Sequence, residues 1–203
     1  MTFDASAGYL AHNEAAERIY AYNPNVKIII LLRNPIERAY SAWNMYKERY
    51  LKNRNWFFDD WDCYRFTFLR RKDSHIFNFL QYAVDEIELR NESAALEAPI
   101  LFHGHYYDQI QRYLAFFDRR QLLIIEHTEM YMDTIKSLQK IEEFLEIPNC
   151  NWKDINLSPI FEGEYLEQIT EDASRFLCDY YALSNEKLFN LLGKSYPWDV
   201  KKL

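Results

Sequence analysis

Glycine is scarce in this chain, 4 in 203 residues, and no two glycines lie close enough to build a glycine-rich loop. That excludes a backbone cradle of the kind that wraps a phosphate at a helix N-terminus. The three cysteines, Cys63, Cys150 and Cys178, are widely spaced and form no CxxC pair, which excludes a disulfide framework and a zinc ribbon and predicts buried free thiols. Basic side chains are outnumbered, 24 Lys and Arg against 31 Asp and Glu, and the net charge of −7 excludes a general nucleic-acid binder while leaving room for one small basic pocket. No apolar run approaches the roughly 18 residues of a membrane span, and no secretory leader precedes the first helix. A cytoplasmic location is the expectation for a whole chain; a lost N-terminus would leave room for a membrane anchor.

Aromatics are plentiful, with 16 Tyr, 14 Phe and 5 Trp, which argues against disorder. The length suits one domain, 1–203, with a real core. Strands alternate with helices along the chain. Residues 2–10 read as a strand end and a loop turned by Gly8, and Asn13 as the N-cap of a helix that Asn23-Pro24 ends. Residues 50–75 are aromatic and charged with weak periodicity. We read 50–100 as a helical or lid insertion, with an amphipathic helix over 75–93, and Trp56, Trp61 and Tyr64 as lid packing. Tyr106, Tyr107, Ile110, Tyr113, Leu114 and Phe117 recur at helical spacing, and Gln121-Leu-Leu-Ile-Ile-Glu126 reads as a buried strand. A helix over 133–145 carries a stripe of Ile135, Leu138, Ile141, Phe144 and Leu145, closed by Pro148. A last helix covers 171–192 and stops at Gly193. Together these predict an α/β fold with a parallel sheet flanked by helices.

The densest signal is Lys27-Ile-Ile-Ile-Leu-Leu-Arg33-Asn-Pro-Ile-Glu-Arg38-Ala-Tyr-Ser41. A buried strand ends in a cation, Asn34-Pro35 breaks it, and a helix starts at Pro35, where a missing N–H costs little. Ligands of open α/β sheets bind at strand C-termini, and an arginine fork there suits phosphate. Ser41 lies about 9 Å further along the helix axis at 1.5 Å per residue. Its hydroxyl and Arg33 are candidates for one anion.

This stretch closely resembles the 3′-phosphate-binding element of sulfotransferases that use PAPS (3′-phosphoadenosine 5′-phosphosulfate), an apolar strand followed by Arg-(Asp/Asn)-Pro-x-x-Arg-Ala-x-Ser. The resemblance assigns the 3′-phosphate to Arg33 and Ser41 and reads Arg38 and Tyr40 as packing and helix-surface residues. Gly104-His-Tyr106 through Phe144-Leu145, Asp179-Tyr-Tyr through Trp198, and Asp4-Ala-Ser6-Ala-Gly-Tyr9 are similar to further segments of bacterial and heparan-type members. The implied fold is the P-loop-NTPase-like sulfotransferase fold. The implied activity is transfer of a sulfuryl group from PAPS to an acceptor hydroxyl, with carbohydrate as the family-level acceptor and no metal.

The family's first strand and its Gly-x-x-Lys-x-Gly-Thr loop, which holds the 5′-phosphosulfate, have no counterpart here. The expectation is an N-terminally truncated enzyme, or alternatively a non-catalytic relative that keeps only 3′-phosphate binding. No general base can be named: His103, His105, His127, Glu126 and Glu129 remain as weak candidates. His103 and His105 alternate, but no third ligand is spaced to make a metal site. Tyr106 and Lys194 are secondary candidates for cofactor contact, against core packing for Tyr106 and a helix C-cap for Gly193-Lys194.

Overall fold

The computed structural model describes residues 2–6, 8–53, 73–91, 99–158 and 167–198. In chain order the elements are α1 (Ala15–Tyr22), β1 (Ile28–Leu32), α2 (Pro35–Lys52), α3 (Phe79–Asn91), α4 (Tyr106–Leu114), β2 (Leu122–Glu126), α5 (His127–Met132), α6 (Thr134–Leu145) and α7 (Glu171–Leu192). Two compact units emerge, Met1–Arg33 with Tyr106–Glu162, and Asn34–His105 with Gly163–Leu203.

The first unit is built on β1 and β2. They pair in parallel, as predicted, from Ile28 opposite Leu122 to Leu32 opposite Glu126. Parallel strands need a crossover, and the crossover carries Gln121 back to the start of β1. Its side-chain amide donates to the Pro24 carbonyl at 2.8 Å and the Val26 carbonyl at 3.1 Å, which fixes the register before the ladder begins. Burial along β1 alternates. Ile30 and Leu32 are buried, while Ile29 is 37 % and Leu31 55 % exposed. The strand expected to be buried on both faces is therefore buried on one, because α5 and α6 pack beside β2 and the described sheet has two strands.

Other departures in this unit have local causes. Residues 2–6 form no strand, and 8–11 are a turn whose carbonyls side chains of α4 take. Arg112 donates to Ala11 at 3.2 Å and Tyr113 to Tyr9 at 3.0 Å. α1 is preceded by Glu14 rather than capped by Asn13, and the His12 ring takes the Glu14 N–H. An unforeseen short helix, α5, follows β2 because the Glu126 carboxylate caps it. The expected stripe on α6 is half-buried at Leu138, Ile141, Phe144 and Leu145 and exposed at Ile135, while Ser137 and Glu142, three and four residues from its members, are the buried positions. The Glu142 carboxylate draws the following loop back by accepting from Cys150 N–H at 2.7 Å and Trp152 Nε1 at 2.9 Å. Glu146, with φ of 58°, ends α6 before Pro148. Cys150 is exposed and Cys178 half-buried, so the expectation of buried thiols fails for both, although both are free; Cys63 lies outside the described residues.

The second unit holds the larger core, where Trp43 of α2, Tyr82 of α3, Leu177 and Tyr181 of α7 and Ile100 and Leu101 of the intervening turn pack together. Trp43 Nε1 donates to the Ile76 carbonyl at 3.0 Å, so the indole buries its ring without stranding its donor. The helix expected at 75–93 begins at Phe79, after a tight turn over Asp73–Phe77, because the Asn78 side chain caps it through the Gln81 N–H at 3.0 Å. Trp56, Trp61 and Tyr64 lie outside the described residues. α7 spans the predicted range and ends where Gly193 takes a left-handed φ of 63°.

The turn before α4 carries the tightest glycine. A Cβ on Gly104 would sit 2.7 Å from the Tyr181 hydroxyl oxygen and 2.9 Å from Pro35 Cβ. Neither neighbour yields easily, since Tyr181 donates to the Leu101 carbonyl at 2.8 Å. Gly104→Ala is expected to cost about 1–3 kcal/mol through overpacking. Chemical denaturation of the variant checks this, and an unchanged midpoint would show that the turn has slack.

Candidate functional site

The strand–turn–helix predicted from the sequence is present. β1 ends at Leu32, and Asn34 turns the chain with φ −43° and ψ 118°. The Asn34 side chain accepts the Ile36 N–H at 3.0 Å and so caps α2, while Pro35 occupies the first helical position. The sequence reading took Asn34 only as a strand breaker; an Asn directly before a helix-starting Pro was the available signal of a cap. Glu37 in the first turn and Arg49 and Lys52 in the last turn complement the helix dipole.

Arg33 and Ser41 are each placed by their own element. Arg33 is half-buried and closes the N-terminal segment of the first unit; Ser41 is half-buried in the second turn of α2, in the second unit. Tyr40 packs in the core, with its hydroxyl donating to the Glu167 carbonyl at 2.7 Å. Arg38 belongs to the turn that precedes α4: its Nη2 donates to the Ile100 carbonyl.

That turn is held from three sides. The Glu86 carboxylate, 1 % exposed, accepts the N–H groups of Ile100, Leu101 and Phe102 at 2.6, 2.9 and 2.8 Å. Arg38 and Tyr181 take the carbonyls of Ile100 and Leu101. Nothing in the sequence announces Glu86, because its partners lie 14 to 16 residues away. His103 lies on this turn with its pKa lowered to about 4, first by burial and then by the Arg38 charge, so it is neutral at neutral pH. His105 sits 2.9 Å from the Tyr180 hydroxyl through Nε2, and burial raises the Tyr180 pKa.

The remaining candidates are each placed by their own element. Glu126 uses its carboxylate to cap α5, accepting from Thr128 N–H at 2.8 Å and Glu129 N–H at 3.2 Å, and His127 is exposed at the helix start. Tyr106 is buried at the start of α4, in the first unit. Lys194 is exposed beside Gly193, its ammonium 5.1 Å from the centre of the Tyr196 ring, which itself stacks on Trp198 at 4.9 Å. Among the described residues no three His, Cys, Asp or Glu side chains are grouped to hold a metal ion, and no helix is long and apolar enough to cross a membrane.

Comparison with known proteins places this architecture. The family model described as the sulfotransferase domain matches residues 12–174. The human bifunctional heparan sulfate N-deacetylase/N-sulfotransferase 3 is 26 % identical over 95 % of this chain and 22 % of its own length. The mouse heparan sulfate glucosamine 3-O-sulfotransferase 5 is 25 % identical over 73 % of this chain and 36 % of its own. A crystal structure of a sulfotransferase from Alicyclobacillus acidocaldarius superposes with a TM-score of 0.65 at 23 % identity, over 96 % of this chain and 66 % of that one, and so shares its α/β fold. The chain thus spans 22 % and 36 % of the length of these two heparan sulfate enzymes. Matched over most of its length, this chain belongs to the sulfotransferase domain family.

Proposed function

We propose that this chain forms the 3′-phosphate-binding part of a sulfotransferase that uses PAPS, with Arg33 and Ser41 as the phosphate ligands. The observation that carries the reading is the strand–turn–helix itself. Each ligand is set by its own element, a half-buried arginine directly after β1 in the first unit and a half-buried serine on α2 in the second, within the stretch that the sulfotransferase domain match covers. Arginine provides two parallel donors to a phosphate and serine a third, and neither takes part in bond making. In the reaction the donor's S–O bond breaks, the sulfuryl group passes to an acceptor oxygen that loses its proton, and adenosine 3′,5′-bisphosphate leaves.

A carbohydrate hydroxyl is the proposed acceptor class, supported by the two heparan sulfate enzymes above. The sequence contains no Gly-x-x-Lys-x-Gly-Thr, the element whose lysine and backbone donors would stabilise the transferring group. These 203 residues are therefore proposed to bind the nucleotide without transferring sulfate by themselves. Isothermal calorimetry tests the reading. Adenosine 3′,5′-bisphosphate is expected to bind at least about 30-fold more tightly than adenosine 5′-monophosphate, the worth of the two charge-assisted hydrogen bonds of an arginine fork. Equal affinity for the two nucleotides would sink the assignment.

A further inference from the structure

We propose that a cavity beside α7 binds a small hydroxylated amine of the amino-sugar type. The site is independent of the reading of Arg33 and Ser41. All of its lining residues belong to the second unit. α2 contributes only Ile36, which lies five residues before Ser41 and so about 140° away around the helix at 3.6 residues per turn.

The cavity measures about 320 Å³, at the lower end of small-molecule sites. α7 turns Cys178, Ala182, Asn185, Glu186, Phe189 and Asn190 toward it, a stripe at helical spacing whose first two members are small and leave room. The opposite wall is held by its own contacts. Past Gly193 the chain doubles back, so that the Trp198 ring stacks on Tyr196 at 4.9 Å and lies 5.5 Å from Phe189. Trp198 N–H donates to the Tyr196 carbonyl at 2.8 Å, and the wall therefore stands without a ligand.

The chemistry of the lining selects the occupant. Asn185 and Asn190 each offer an amide that both donates and accepts, and Glu186 offers a carboxylate. Among the described residues, none of these three side chains has a hydrogen-bond or ion-pair partner. No Lys, Arg or His lines the cavity, so its charge is negative and repels phosphate, sulfate and uronate groups. A plain alkylamine would pair with Glu186 and leave both amides unmatched. A hydroxyl donates and accepts as an amide does. A ring that carries one ammonium and several hydroxyls thus matches all three side chains, and its C–H face meets Ile36 and Phe189.

NMR titration of the full chain with glucosamine, glucose and glucuronate tests this, read at the Trp198 indole and the side-chain amides of Asn185 and Asn190. Glucosamine is expected to shift all three signals and to bind about two- to fivefold more tightly than glucose, the worth of one exposed ion pair. Glu186→Gln should erase that margin, and glucuronate should bind the wild type weakest of the three. Ala182→Phe, at an exposed position of α7, fills the cavity. It should abolish the glucosamine titration at an unchanged melting temperature, while adenosine 3′,5′-bisphosphate binds as it does to the wild type. Wild-type signals that ignore glucosamine, glucosamine bound no better than glucose or glucuronate, a margin that survives Glu186→Gln, or undiminished binding by Ala182→Phe overturns the inference. A wild type that binds glucosamine here yet does not prefer the bisphosphate over the monophosphate removes the nucleotide reading and leaves this site standing.

Discussion

Glu86→Ala is expected to destabilise the protein by about 3–5 kcal/mol, because it strands three consecutive backbone donors in the core of the second unit. The Glu86 carboxylate is the acceptor for Ile100, Leu101 and Phe102, and Ile100 and Leu101 are fully buried. A buried donor left unmade costs about 1–3 kcal/mol, and partial hydration of the new cavity keeps the sum toward the low end. For a chain of this size that is a fall in melting temperature of roughly 6–20 °C. Glu86→Gln retains one acceptor oxygen but turns an amide donor toward the turn, so a smaller loss of about 1–3 kcal/mol is expected. Urea denaturation monitored by circular dichroism reads both. A Glu86→Ala chain within about 1 kcal/mol of wild type would mean that water replaces the carboxylate at no cost, and the turn would then owe its shape to Arg38 and Tyr181 alone.

Glu86 also marks the limit of what the sequence makes legible. β1, β2 and α7 were readable because local signals agree there: branched apolar runs ended by polar residues, and a 3.6-residue period stopped by Gly193. The elements that carry Arg33 and Ser41 were readable because their signal is contiguous in sequence. The turn at 100–104 was not, since its shape depends on residues from α2, α3 and α7 that only folding brings together. The buried Glu142 of α6 was missed for a related reason: its carboxylate is bonded by a loop that follows the helix. In α5 the missed signal was local. An acidic residue at a strand end is also a helix cap, and only the N–H groups of Thr128 and Glu129 decide between those roles.

Arg33→Ala is expected to have the largest effect on binding. A guanidinium that grips phosphate through two charge-assisted hydrogen bonds contributes about 2–3 kcal/mol, or roughly 30- to 200-fold in Kd. Arg33→Lys should recover only part of it, since a point charge cannot reproduce the fork. Ser41→Ala removes one hydroxyl donor and should cost about tenfold. Each loss must fall on ligands that carry the 3′-phosphate and spare those that lack it, which separates a lost contact from a damaged fold.

The most direct measurement of the central claim is therefore calorimetry of adenosine 3′,5′-bisphosphate and adenosine 5′-monophosphate against wild type and Arg33→Ala, at one salt concentration. The account predicts that the wild type prefers the bisphosphate, and that Arg33→Ala weakens it to within about tenfold of the monophosphate while leaving monophosphate binding unchanged. An Arg33→Ala chain that keeps the full preference for the bisphosphate would contradict it.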